Sequence, residues 1–240
     1  MRKLFFVFIF LAFSLNSFSQ ADTSIFPQPV KMNIPSAKEC GFCLVENIYP
    51  IGWSKDGKFA YATEPPDEAC DCYYFELFIR NLTNDSVLWH FFYTSDMTSL
   101  ELEPDGKHKV FTSLKQIWTA EAGYFSKHLH ENDIIPGKNM ALLALPDSSL
   151  NVKKIWMPAA HSEFGYKYID SLTISTLKDT VCFSTRETLS LPPIAVSIAG
   201  CIKSPFEDRR AVWLAYKANG WEGVPYVLSF RPAGLLVNGH

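Results

Sequence analysis

The segment Ile51-Gly52-Trp53-Ser54-Lys55-Asp56-Gly57-Lys58-Phe59-Ala60-Tyr61 constrains the fold more than any other stretch of the chain. Its Asp56-Gly57 pair supplies the positive φ angles of a tight hairpin turn, and apolar residues flank that turn on both sides. The pattern calls for strand, turn and antiparallel strand. A degenerate echo, Ser204-Pro205-Phe206-Glu207-Asp208-Arg209-Arg210-Ala211-Val212-Trp213, lies near the C-terminus, with one extra residue and no Asp-Gly pair. Both segments argue architecture rather than chemistry.

More strand signals follow from the first segment. Leu44 to Ile51, Phe59 to Thr63, Tyr73 to Arg80 and Val87 to Tyr93 are short apolar or alternating runs joined by turn clusters, as in an antiparallel meander. The stretch Ser113 to Glu131 has helical spacing, with Leu114, Ile117, Trp118, Ala122, Phe125 and Leu129 on one face. Ser113 with Gln116 matches a capping box, and Pro136-Gly137 is the expected stop. Residues 140–170 are weakly patterned. Leu172 to Ile174 and Val181 to Phe183 form a hairpin signal around Lys178-Asp179. Ile194 to Ile202, Ala211 to Lys217, Pro225 to Phe230 and Leu235 to Val237 make a second strand group. The expected fold is mainly β with one amphipathic helix. It has two antiparallel blade-like meanders packed as one domain, without closure into a propeller.

The N-terminus reads as an export signal. Arg2 and Lys3 precede an apolar run from Leu4 to Leu15, and Ser17-Phe18-Ser19 places small residues before a cut at Gln20. The run is too short to span a bilayer, which needs ~20 residues, and no later segment reads as a membrane span. The expected divisions are therefore 1–19 signal peptide, 20–38 extended leader and 39–240 one β-rich domain. Within the last, 39–110 is the first meander, 111–137 the helix and 138–240 the second β group. Removing residues 1–19 takes away two basic residues and no acid, which moves the net charge from −3 to −5. That mildly acidic balance, with no basic block, argues against nucleic acid and against an anionic membrane surface. The location expected is periplasmic or secreted.

The run Trp53 to Tyr61 followed by Tyr73 to Asn81 resembles a blade of the WD40-like, TolB-type β-propellers. Those blades carry a W-S-x-D-G-x-x-hydrophobic signature, which Trp53, Ser54, Asp56, Gly57 and Phe59 match here. The C-terminal copy is divergent, with Glu207-Asp208 in place of Asp-Gly. The copies lie too far apart for adjacent blades of ~40–45 residues, so the resemblance implies blade-like sheets rather than a ring. The arrangement also resembles small secreted bacterial families of unknown function. It implies no catalytic residue.

The cysteines are the most specific chemical feature. Six of them in an exported chain point to disulfides: Cys40, Cys43, Cys70, Cys72, Cys182 and Cys201. A meander brings the first four to one edge, where a bridge between the two pairs would close a loop of ~30 residues and stabilise by about 3–4 kcal/mol. Cys182 and Cys201 are the remaining partners. Four thiolates at that edge would alternatively make a zinc site. No other cofactor is implied. The loop carrying Cys70 and Cys72 is acidic, with Asp67 and Glu68. The loop at Ala218 to Gly223 holds Trp221 and Glu222 between glycines, where an exposed ring would anchor a protein or carbohydrate partner.

Histidines are scattered, and no nucleophile elbow, H-E-x-x-H, phosphate loop or dinucleotide fingerprint occurs. The leading reading is an exported, non-enzymatic binding protein whose contact residues are Trp221, Glu222, Asp67 and Glu68. The alternatives are a hydrolase with a site assembled across the two β groups, with no residue singled out as catalytic, and the four-cysteine zinc site; His161 lies in an unpatterned loop near Glu163. If the export reading is right, N-terminal peptide mapping of the exported fraction recovers a chain beginning at Gln20. Recovery of Met1 or Arg2 would contradict it.

Overall fold

The computed structural model describes residues 25–34, 40–68, 70–96, 110–138, 140–144, 151–156, 168–176, 179–184, 193–220 and 223–236. The expected signal peptide, and His161 with Glu163, lie outside them. Strands β1 (Cys43–Val45) and β2 (Asn47–Trp53) are separated only by Glu46. β3 (Lys58–Glu64), β4 (Tyr74–Asn81) and β5 (Ser86–Thr94) follow. Next come helix α1 (Leu114–Glu131), the short β6 (Ile135–Pro136), and β7 (Asn151–Trp156), β8 (Ile169–Ser175) and β9 (Thr180–Ser184). Three long strands end the fold: β10 (Pro193–Lys203), β11 (Arg209–Gly220) and β12 (Gly223–Leu236).

These strands form three sheets, ordered β5-β4-β3-β2-β6, β1-β12-β11-β10 and β7-β8-β9. Every described pair is antiparallel except β1 with β12, where Cys43, Leu44 and Val45 run parallel to Tyr226, Val227 and Leu228. Among the described residues the fold is mainly β, with one helix and no closed propeller, as the sequence pattern implies. The first meander is the observed one. The expected second group instead divides into two sheets, and β7 comes from the stretch whose pattern is weak. One reason that stretch hides a strand is that Lys153, Lys154, Ile155 and Trp156 are all exposed, so no buried side alternates with a wet one.

Leu44 to Ile51 is not one strand either. It breaks at Glu46, where the chain steps from the second sheet into the first. Glu46 is only 2% exposed there, and its carboxylate accepts from Phe230 N at 2.6 Å and from Arg231 Nη1 at 3.0 and 3.1 Å. Burial pushes the Glu46 carboxyl up and Arg231 pulls it back. Burial disfavours the Arg231 cation most, but Glu46, Tyr61 and Glu76 together outweigh it and hold the guanidinium protonated.

The layers stack as helix, first sheet, second sheet, third sheet. Ile117, Trp118, Phe125 and Leu129 of α1 pack against Ala60, Phe75, Leu77 and Ile79, each large side chain contributing on the order of 2 kcal/mol. The opposite face of the same sheet, with Trp53, Phe59 and Tyr61, meets Trp213, Ala215 and Phe230 of the second. The far face of the second sheet, with Val212, Leu214 and Tyr216, meets Ile169, Leu172 and Ile174 of the third. The leader is part of this packing: Phe26 is 3% exposed, its N–H donates to Ser126 Oγ at 2.9 Å, and its carbonyl accepts from Trp118 Nε1 at 3.2 Å.

Helix α1 spans nearly the expected residues but is bounded differently. Ser113 makes no side-chain cap; Gln116 Oε1 accepts from Thr112 N at 2.8 Å, and Glu64 Oε1 accepts from Leu114 N at 3.2 Å. The helix ends at Asn132 and Asp133, the latter at φ 56, before Pro136 is reached. Pro136 belongs to β6, paired with Gly52.

The two related turns meet in space. Ser54 N donates to Lys58 O at 2.9 Å, and Lys58 N donates back to Ser54 Oγ at 2.8 Å. In the echo, Ser204 N donates to Arg209 O at 2.9 Å across a turn one residue longer. Gly57 sits at φ 85, and a Cβ on it would lie 3.0 Å from Glu207 Oε1. Arg209, 7% exposed, ties the assembly together. Its guanidinium donates to Leu82 O in the β4–β5 turn at 2.9 Å and to Glu207 at 3.1 Å, and it reaches Asp179 of the β8–β9 turn at 3.7 Å. Beside it, Asp85 Oδ1 accepts from Gly234 N at 2.9 Å.

Two measurements check this clasp. Arg209→Ala should lower the unfolding free energy by about 3 kcal/mol in urea titrations, because two carboxylates and a carbonyl lose their buried partner. Arg209→Lys should recover only part, having no planar fork. Asp85 supplies the pH dependence. Burial pushes its carboxyl up to about 6, so the folded state holds the proton more strongly than the unfolded chain. Its contribution is fully present below the unfolded value, near pH 4, and is lost as the pH rises through 6. Between pH 7 and 5 the wild type should gain about 1 kcal/mol relative to Asp85→Asn, which keeps the acceptor oxygen. A flat difference would contradict the assignment.

Candidate functional site

The acidic loop between β3 and β4 is held at both ends by one carboxylate. Glu64 accepts from the Tyr49 hydroxyl, from Asn47 Nδ2 at 3.1 Å, from Tyr73 Oη at 2.8 Å and from Leu114 N. Burial, and then the Glu64 carboxylate they donate to, hold the Tyr49 and Tyr73 phenols far above their usual value. The far end is pinned again where Tyr73 N donates to Ser95 Oγ at 2.7 Å.

Between these anchors the loop reaches the β11–β12 hairpin. A Cβ on Gly220 would lie 2.3 Å from Pro225 O and 3.1 Å from Glu68 Oε2, so only glycine fits where the acidic loop passes the hairpin. Asp67 is half-buried and Glu68 exposed. Asp67 Oδ1 accepts from Cys70 N at 3.2 Å. Glu68, next to Asp67 in the chain, is thus brought to the hairpin that carries Trp221 and Glu222, which themselves lie outside the described residues. On the other side of the hairpin, Tyr226 N donates to Phe42 O at 2.9 Å and the Lys217 ammonium stands 3.9 Å over the Tyr226 ring. Phe42 is 77% exposed.

The surface continues along β4 and β5. Tyr74 pairs with Thr94, Glu76 with Phe92 and Phe78 with His90, which puts these six side chains in neighbouring rows on one face. Tyr74 Oη lies 3.4 Å from Cys70 Sγ and joins this face to the loop. Glu76 Oε2 is 2.9 Å from His90 Nε2, and the His90 ring stacks flat on Phe78 at 4.3 Å. Phe92 is 53% exposed and Leu88 44%. The sequence singles out neither, because an apolar side chain at the end of an alternating run reads as core; only the sheet order shows that β5 is an edge.

The cysteines pair locally. Cys40 bonds Cys43 with Cα atoms 5.5 Å apart, and Cys70 bonds Cys72 at 5.1 Å. The expected bridge between the two pairs is therefore corrected, and so is the four-thiolate zinc site. Asp67, Cys70 and Cys72 hold their ligand atoms within 4.8 Å of one another, and Cys40 and Cys43 are not among them. Asp71, between the second pair, sits at φ 54 and turns the chain tightly enough for neighbours two apart to bond. Cys182 and Cys201 are both free. They stand in different sheets: exposed Cys182 contacts Thr173 Oγ1 at 3.4 Å, while buried Cys201 exchanges backbone bonds with Leu143 at 2.8 and 2.9 Å. Burial pushes the Cys201 thiol up.

A separate cavity of about 640 Å³ opens between the leader and the first sheet, lined by Phe26, Pro29, Met32, Ile51, Met140 and Leu142 among others. Its described lining contains no acid, histidine, cysteine or hydroxyl side chain. The helix histidines turn to different partners, His128 stacking on Trp89 at 4.4 Å and His130 meeting Phe26 edge-on at 4.9 Å.

No protein-family model, curated protein or solved structure matches this chain.

The local pairing has a thermodynamic signature. Bridges three and two residues apart restrict the unfolded chain little, so Cys40→Ser/Cys43→Ser and Cys70→Ser/Cys72→Ser should each cost no more than about 2 kcal/mol. Non-reduced peptide maps should place each bridge within one peptide. A peptide joining Cys40 or Cys43 to Cys70 or Cys72 would contradict the pairing.

Proposed function

We propose that this chain is an exported, non-enzymatic binding protein, and that a protein or carbohydrate partner docks on the end where the acidic loop meets the β11–β12 hairpin. The observation that carries the reading is the set of exposed apolar side chains around those acids. Phe42 and Phe92 are each more than half exposed. Phe92 stands opposite Glu76 on the β4–β5 pair, and Phe42 lies in the disulfide-held turn whose backbone pairs with Tyr226 of the hairpin. Solvent-exposed aromatic anchors ringed by polar groups are what a partner surface needs. Trp221 and Glu222, between Gly220 and Gly223, belong to the proposed surface on sequence grounds.

Export rests on the pattern of residues 1–19 and agrees with the two disulfides. Among the described residues, no helix is long and apolar enough to cross a membrane. The likeness to WD40-like blades enters as architecture: stacked sheets whose turns form one end of the molecule.

A second reading, a hydrolase, is favoured by one contact. His90 beside Glu76 is half of an acid–base relay, a ring oriented by a carboxylate. The two readings separate in one experiment. Wild type and Phe42→Ser/Phe92→Ser, both checked for folding by circular dichroism, are immobilised and tested on a glycan array and on the exported fraction of the producing cell. Binding by the wild type that weakens by about tenfold or more in the variant is the expected result. Turnover of a chromogenic ester, peptide or glycoside that His90→Ala abolishes would overturn the binding reading in favour of the second.

A further inference from the structure

We propose that reduction of the Cys70–Cys72 disulfide turns the β3–β4 loop into a zinc site, with Cys70 Sγ, Cys72 Sγ and an Asp67 carboxylate oxygen as its ligands. The site shares Asp67 with the proposed docking surface but does not depend on that reading.

Three observations lead there. First, the three ligand atoms already lie within 4.8 Å of one another, and Asp67 Oδ1 is 3.3 Å from Cys70 Sγ. A tetrahedral zinc ion with sulfur at ~2.3 Å and oxygen at ~2.0–2.2 Å spaces its ligands by about 3.5–3.8 Å. The Asp67–Cys70 separation is close to that spacing as it stands, and the two sulfurs need only part to reach it. Second, the bridge is not what shapes the loop. The loop's ends are fixed by Glu64 and by the Tyr73–Ser95 bond. Closing so short a loop restricts the unfolded chain little. The ligand cluster therefore survives reduction with its backbone in place. Third, the sulfurs are accessible and have a neighbouring donor. Cys70 is exposed and Cys72 half-buried, and the Tyr74 hydroxyl 3.4 Å from Cys70 Sγ can donate to a thiolate there.

The conversion balances with a dithiol reductant. One reductant thiolate attacks Cys70 Sγ, the Cys70–Cys72 bond breaks, and Cys72 leaves as a thiolate. The reductant's second thiolate then displaces Cys70 and becomes its disulfide, so two electrons and two protons pass to the cysteine pair. Zinc displaces the two thiol protons. Two thiolates and one carboxylate cancel the ion's charge with one negative charge over, and they leave a fourth position open to water or to a partner's ligand. Mixed sulfur and oxygen donors suit zinc better than calcium or magnesium, which take oxygen alone.

The test is a zinc titration of the full chain carrying Cys40→Ser/Cys43→Ser, so that Cys70 and Cys72 form the one reducible pair. The reduced protein competes with a chromophoric chelator for Zn²⁺, and Co²⁺ reports thiolate ligation by its charge-transfer absorption. One ion per chain is expected. Binding should fall by about 100-fold in Cys70→Ser or Cys72→Ser and about tenfold in Asp67→Asn, and the oxidised protein should not bind. Circular dichroism shows that each variant is folded, and Cys182→Ser controls for the other exposed thiol. Binding that survives in Cys70→Ser/Cys72→Ser, that is lost in Cys182→Ser, or that is no tighter in the reduced than in the oxidised protein would overturn the proposal.

Discussion

The architecture depends on one buried guanidinium. Three sheets stacked face to face have apolar faces enough to adhere, but apolar contact alone does not fix how far one sheet slides over the next. Arg209 fixes it. Rising from the start of β11, it reaches a carbonyl of the first sheet's β4–β5 turn, a carboxylate of its own turn and a carboxylate of the third sheet's β8–β9 turn. Such contacts have narrow geometry, and leaving any of the groups unmet in a buried place costs more than the bond contributes when made. The sheets therefore share one register. Gly57 and Gly234 complete the arrangement by absence, since a Cβ on either would meet a neighbouring turn, at 2.9 Å from Thr83 and 1.8 Å from the Leu82 carbonyl.

From this follows where a surface can form. The clasp closes one end of the stack and leaves the acidic loop and the β11–β12 hairpin at the other. Buried Glu46 with Arg231 lets the chain cross between sheets without leaving an unpaired charge. Arg231 lies 6.0 Å from the Phe78 ring on which His90 stacks, so the crossing also backs the β4–β5 face from within. The exposed aromatic positions are thus displayed by elements that packing holds rigid.

Much of this was legible in the chain. The Asp56-Gly57 turn, the four-strand order and the helix face follow from local chemistry, because turn propensity and periodicity act over a few residues. The C-terminal echo was legible as a turn, yet its importance was not: Arg209 looks like a surface charge until Leu82 and Asp179, far off in sequence, arrive beside it. Strand β7 is hidden because, of its six residues, only Val152 turns toward the core. The cysteine pairing is hidden for a different reason. A meander does bring the two pairs toward one end, but β1 joins the second sheet rather than the first, and a left-handed Asp71 lets Cys70 reach Cys72 directly. The acids Asp67 and Glu68 are visible as residues; the meeting of Glu68 with Gly220 is a tertiary fact. Phe92 and Leu88 needed the sheet order before their exposure could be known.

If Arg209 makes the three sheets one cooperative unit, native-state hydrogen exchange tests it most directly. The amides of Leu82, Gly234 and Leu236 each donate at a junction between turn and sheet, to Gly57 O, Asp85 and Asp179. In a single unit all three open with one free energy, equal to that of the Trp213 amide in β11. Exchange of Leu236 with a distinctly lower free energy, while Leu82 and Trp213 stay protected, would mean that the third sheet opens by itself and that the clasp does not join it to the rest.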